Sequence, residues 1–305
     1  MGIKAESDAL GELVDLEAEV EQVATGFIFT EGPIWDANKK VLFFSDMPGD
    51  VRRSWSPTDG VVEVMRPANK CNGMVFDTGG NLLVCEHSTS SLVRETPDGK
   101  REALATHFEG KELNSPNDVI VRSDGTIYFS DPIFGRVPVF GVERELEQGF
   151  QGVYRLPPNA APGTEPTLVV ERDEYEQPNG LCFSPDEKLL YINDSPRALI
   201  RVYDVDAEGN LSNGRLFFEG IGDGVVANGI PDGMKIDERG NVWVTGPGGV
   251  WVISSEGEYL GLIEVPENVG NIGWGDDDWS TLYMPSSTSL YRIRTKVAST
   301  PLPYH

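Results

Sequence analysis

A chain of 305 residues with a formal net charge of −24 lacks the clustered Lys and Arg that nucleic acid or an anionic membrane surface would require. No stretch approaches the roughly 18 consecutive apolar residues of a membrane span. Three cysteines, Cys71, Cys85 and Cys182, make an odd and sparse set with no Cys-x-x-Cys spacing, which excludes a disulfide framework and reads as buried small apolar side chains. The polar, acidic start, residues 1–15, has no basic and no apolar leader region, so the expected location is the cytoplasm.

In chain order, a short polar residue followed by Gly or Asp repeatedly opens an apolar strand, and a second, aromatic-rich strand follows about ten residues later. The openings are Glu31-Gly32, Asn72-Gly73, Asn117-Asp118, Asn179-Gly180, Asp232-Gly233 and Asn271-Ile272. Their returning partners end at Asp46, His87, Asp131, Asp194, Gly246 or Pro247, and Pro285. The openings recur at intervals of roughly 40 to 60 residues, the period of one four-stranded propeller blade. The expected fold is therefore all-β: one six-bladed β-propeller domain over residues 1–305. Thirty-four Gly and 21 Pro, clustered between Val, Ile, Phe, Tyr and Trp runs, supply the turns.

The sixth repeat lacks a fourth strand. A ring is closed by a strand borrowed from the other terminus, and residues 18–25 are assigned to it; removing the first 25 residues should then destabilise the fold, and removing 10 should not. The widest interval, between Asn117 and Asn179, is explained by an insertion at about 132–151, carrying Phe134, Phe140 and Phe150 beside Arg136 and Arg144. Long loops next to a site often cover it, so a lid is expected here.

In a propeller the inner-strand openings converge on one axis, and the second-strand ends flank them on the same face. Two acids, Glu31 and Asp232, among several Asn are costly to bury unless a cation neutralises them. Carboxylates and amide carbonyls form an all-oxygen donor set that suits a hard divalent ion.

The segments Phe29-Thr30-Glu31-Gly32-Pro33-Ile34-Trp35, Ser115-Pro116-Asn117-Asp118, Gln177-Pro178-Asn179-Gly180, Ile230-Pro231-Asp232-Gly233 and Gly248-Gly249-Val250-Trp251 resemble, in order, signatures of the SMP-30/gluconolactonase family of six-bladed propeller lactonases. The resemblance runs from about Phe29 to Arg294. It implies one divalent metal ion, calcium first with Mn, Zn, Mg or Fe as alternatives, held by Glu31, Asn179 and Asp232. It also implies hydrolysis of a sugar lactone by attack of metal-activated water on the carbonyl, with Asp232 as proton acceptor and Asn117 beside substrate. Asn72, His87, Arg136 and Asn271 are further expected substrate contacts. Asp46, Asp131 and Asp194 form a supporting ring, and any of them, or His87, is an alternative base, because a carboxylate on a cation loses basicity.

The expected partner is a small-molecule lactone, with no nucleic acid and no membrane, and the chain is expected as a monomer or small homo-oligomer. Two other readings stand beside this one: a calcium-dependent phosphotriesterase or arylesterase-type propeller, and a non-catalytic binding propeller with a structural metal. A polar pocket wall made by Arg136, Arg144, Asn72 and Asn271 would favour the sugar; an apolar wall of the three Phe would favour the ester.

Overall fold

Each repeat begins with a hairpin set by a short acidic side chain. Asp77 accepts hydrogen bonds from the Gly79 and Asn81 N–H groups, both at 2.9 Å, and Asp237 does the same for Arg239 and Asn241. These local bonds fix a tight turn between an inner strand and its return. The computed structural model describes residues 2–299, in which six such units form six antiparallel sheets.

From the inside outward, the first blade is Thr30–Asp36, Val41–Asp46, Val51–Ser56 and Gly60–Met65. The second is Cys71–Phe76, Leu82–Glu86, Ser91–Glu95 and Arg101–Ala105. The third is Val119–Val121, Ile127–Asp131, Gly152–Leu156 and Thr167–Leu168, and the fourth is Pro178–Phe183, Leu189–Asp194, Leu199–Val205 and Leu211–Glu219. The fifth is Met234–Ile236, Val242–Gly246, Gly249–Ile253 and Tyr259–Glu264. The sixth has Gly273–Gly275, Thr281–Pro285 and Ser289–Arg294, and the N-terminal strand Glu21–Thr25 pairs antiparallel with the last of these. The ring is thus closed as the sequence predicts.

One feature of the N-terminus departs from expectation. Ile3–Ala5 adds a fifth strand to the outer edge of the fifth blade, with Ile3 opposite Ile263. Leu10, Leu13 and Val14 are buried with Trp243, Trp274 and Leu282 between the fifth and sixth blades. The first ten residues are therefore part of the folded unit, and the expectation that they are dispensable is corrected.

Apolar faces of neighbouring blades pack on one another; Trp35 of the first stacks on Tyr283 of the sixth at 5.9 Å, and Trp243 meets Trp274 edge-on at 5.3 Å. Nearer the axis the contact is backbone to backbone, and glycine makes it possible. A Cβ on Gly32, whose φ is +54°, would lie 2.0 Å from the Asn72 carbonyl oxygen of the next blade. One on Gly180 would lie 2.1 Å from the Asp232 carbonyl oxygen. The Gly of these openings, Gly32 and Gly180 and likewise Gly73 and Gly233, is a requirement of close blade-to-blade approach.

Candidate active site at the channel mouth

In three of the blades the opening residue stands at a β-bulge. In the first blade Glu31 faces Ser45, but Ile34 faces Phe43. The second and fourth blades shift register between Cys71 and Met74 and between Pro178 and Leu181. An extra residue on the inner strand re-aims the side chain at the bulge. With the equivalent openings of the other three blades, these bring Glu31, Asn72, Asn117, Asn179, Asp232 and Asn271 to one end of the central channel; all but the half-buried Asp232 have exposures of 4% or less.

Glu31 and Asp232 are both carboxyls of raised proton affinity. Burial pushes the Glu31 carboxyl up to about 7, while the Gly32 N–H and the Asn271 amide pull it down. Burial and the Glu31 charge together hold Asp232 well above the usual carboxylate range, with the Asn179 amide opposing. Asn179 donates from Nδ2 to Ser195 Oγ at 3.1 Å, and Ser195 donates to the Pro231 carbonyl at 2.7 Å. Among the described residues the buried Oδ1 of Asn179 has no hydrogen-bond partner, and neither has Oδ1 of Asn72. Unsatisfied buried oxygens are rare and need an explanation.

Asn72 is fixed through His87. The fully buried imidazole donates from Nδ1 to the Phe140 carbonyl of the insertion at 2.9 Å, which leaves Nε2 to accept from Asn72 Nδ2 at 3.3 Å. Burial lowers the His87 pKa to about 4, so the ring is neutral at pH 7. With both nitrogens engaged and no exposed surface, His87 orients Asn72; it is not the substrate contact or proton shuttle expected from sequence. Its folded pKa lies below the unfolded value, so the stability it confers is present above about 6.5 and is lost as pH falls toward 4, by about 3 kcal/mol at the lower limit. Melting temperatures measured from pH 7 to 4.5 should fall more steeply in wild type than in His87→Gln.

The insertion crosses from the third blade over the second to the first. Lys70 Nζ donates to the Val139 carbonyl at 2.8 Å, and the Phe140 ring meets Phe29 edge-on at 5.3 Å. Arg136 does not reach a substrate. Its guanidinium donates to the Asn114 and Leu113 carbonyls and to Glu112, and only 5% of the residue is exposed. Arg144 is tied to Glu112 and to Ser90 Oγ. Both arginines anchor the insertion, which corrects the expectation of an arginine-lined wall. Phe150 is directed outward, against Phe108 and Arg172, whereas Phe140 packs on Phe29 of the first blade.

The second-strand carboxylates hold the loops that lead into the site. Asp131 accepts from the Asn114 and Ser115 N–H groups at 2.8 and 2.7 Å, just before Asn117. Asp194 accepts from Glu176 and Gln177 at 2.8 and 3.1 Å, just before Asn179. Asp46 accepts from Ile28 at 3.1 Å, before Glu31, and pairs with Arg53 at 2.9 Å. With both oxygens of each engaged in this way, these groups position backbone and are not free bases.

Two residues of the channel escaped the sequence reading. Asp118 occupies the place of Gly in the third opening, is 3% exposed, and its buried Oδ2 accepts no hydrogen bond from the described residues. Lys235 extends its ammonium to 3.7 Å from that oxygen. A signal was available for Lys235: the equivalent residues in the other five repeats are Ile34, Val75, Ile120, Cys182 and Trp274, all apolar.

Among the described residues no three His, Cys, Asp or Glu side chains form a metal-holding group; the donors assembled here are two carboxylates and amide oxygens. The orphaned Oδ1 of Asn179 beside two carboxyls of raised pKa fits a hard cation that takes oxygen ligands.

The sequence profile of the SMP-30/Gluconolactonase/LRE-like region matches residues 29–288. The chain is 32% identical to a gluconolactonase of Zymomonas mobilis subsp. mobilis, covering 95% of this chain and 85% of the relative. It is 24% identical to a pentonolactonase of Haloferax volcanii, covering 84% and 81%. A solved gluconolactonase of Xanthomonas campestris superposes with a TM-score of 0.86 at 30% identity, covering 97% of this chain and 95% of that one.

Proposed function

Since the chain belongs to the SMP-30/gluconolactonase/LRE-like family, we propose that it hydrolyses a sugar lactone to the aldonic acid at the channel mouth. The observation that carries this reading is the convergence of Glu31, Asn179 and Asp232, with the Asn179 carbonyl oxygen buried and unpartnered, in a chain similar to gluconolactonases over nearly its whole length.

Glu31, Asn179 and Asp232 would hold one divalent cation, with calcium favoured by the oxygen-only donor set. When bound, such an ion polarises a carbonyl and makes water more acidic. Asp232 accepts the proton of the attacking water as the new C–O bond forms, acting as general base. The ring C–O bond then breaks, and the proton passes from Asp232 to the departing alkoxide. The Asn117 amide donates to the developing oxyanion, a preorganised dipole of the kind that contributes most to such reactions. Asn72, oriented by His87 and so by the insertion, presents Oδ1 to a substrate hydroxyl.

Proton release in weak buffer tests this reading. Gluconolactone, xylonolactone, an aliphatic lactone and a phosphotriester are compared with metal-stripped protein and after return of single divalent ions, with the spontaneous rate subtracted. Ion-restored acceleration of a sugar lactone is expected. Acceleration of the phosphotriester alone would replace the lactonase reading by an esterase one, and no acceleration at all would leave a binding propeller.

A further inference from the structure

The central channel changes character along its length. At one end are the opening carboxylates and amides; at the other the inner strands line a cavity with Pro33, Ile34, Met74, Val119 and Phe183. Lys235 borders both. Its Nζ lies 3.1 Å from the Met234 carbonyl oxygen, 3.4 Å from Asn271 Oδ1 and 3.7 Å from Asp118 Oδ2. Those three oxygens surround one cationic atom, and among the described residues the Asp118 oxygen accepts no hydrogen bond.

Charge arithmetic gives this arrangement a meaning. Glu31, Asp118 and Asp232 bring three carboxylates to the channel, and Lys235 is the cation that acts on both Glu31 and Asp232. The remaining imbalance is two negative charges, which one divalent ion cancels. Without the ammonium the imbalance would be three, and the oxygens of Asp118, Asn271 and Met234 would face one another with no cation between them, a costly state in a low-dielectric interior.

We propose that the Lys235 ammonium is a built-in counter-ion of the channel, seated against Asp118 in what would otherwise be a second cation site, so that the protein takes one divalent ion and not two. This rests on the metal reading above, and the experiment separates the two. Equilibrium dialysis against Ca²⁺ and, separately, Mn²⁺ counts ions per chain for wild type, Lys235→Met, Asp118→Asn and the double variant, with circular dichroism confirming the fold of each. Wild type is expected to bind one ion, and Lys235→Met two, the first about tenfold tighter because a nearby positive charge is gone. Asp118→Asn should bind its single ion about tenfold more weakly, and the double variant should return to one ion near wild-type affinity. One ion at unchanged affinity in Lys235→Met overturns the inference while leaving the metal reading intact. If Lys235→Met does not fold, unchanged affinity in Asp118→Asn overturns it instead. A wild type that binds no ion overturns both.

Discussion

Replacing Asp232 by Asn is expected to lower kcat/KM by about 10²–10⁴, the range a positioned general base supplies, and to weaken cation binding at the same time. The substitution should not disturb the fold. The backbone at this position is held by its own bonds: the Asp232 N–H donates to Thr245 Oγ1 at 3.0 Å, and its carbonyl accepts from Asn193 Nδ2 at 2.6 Å. The carboxylate itself is a liability in the metal-free protein, because burial and the neighbouring Glu31 charge both raise its proton affinity. Metal-free Asp232→Asn should therefore melt higher than metal-free wild type at pH 8, by an amount on the order of 1 kcal/mol after allowing for the partial exposure of this side chain. Loss of activity joined to a gain in metal-free stability distinguishes a functional carboxylate from a structural one. As a control, Asn117→Ala should reduce kcat by about 10²-fold, the effect of losing one oxyanion donor, with cation affinity preserved. Full activity in Asp232→Asn would remove this residue from both proposed roles.

The blades were legible because the propeller repeats a local pattern: a turn acid, an apolar inner strand and an aromatic return all lie within some twenty residues of one another. The convergence of Glu31, Asn72, Asn117, Asn179, Asp232 and Asn271 follows from that repetition alone. What the sequence does not reveal is the direction in which a long side chain leaves its strand. Arg136 and Arg144 look like substrate ligands in a loop beside the site, yet Glu112 and the Asn114 carbonyl hold them elsewhere. His87 ends a second strand as Asp46 and Asp131 do, but the Phe140 carbonyl, from 53 residues away in sequence, decides its tautomer. Lys235 was readable by aligning repeats against one another; its partner Asp118 became recognisable only when the two side chains were brought across the channel.

Removal of the first 25 residues is expected to leave no folded protein, whereas removal of the first ten should leave a folded but weakened one. The longer cut deletes Glu21–Thr25, which supplies the outer strand of the sixth blade, and exposes the edge of Ser289–Arg294. It also removes Leu10, Leu13, Val14 and Val20, which are at most 6% exposed between the last two blades. At about 1.5–3 kcal/mol for each buried aliphatic side chain, the loss approaches the whole stability of about 5–15 kcal/mol typical of a native chain, before the open edge is counted. The shorter cut loses Ile3–Ala5 from the rim of the fifth blade and one fully buried leucine, Leu10. A cavity of that size costs about 2–5 kcal/mol, and at roughly 2–4 °C for each kcal/mol in a chain of this order of size the melting temperature should fall by about 5–15 °C. The active face is far from this edge in the blade, so kcat of the ten-residue truncation measured well below its melting point should match wild type. An unchanged melting temperature would mean that the strand at Ile3–Ala5 contributes nothing to the fifth blade. A cooperative transition after the 25-residue cut would mean that the ring does not depend on its N-terminal strand.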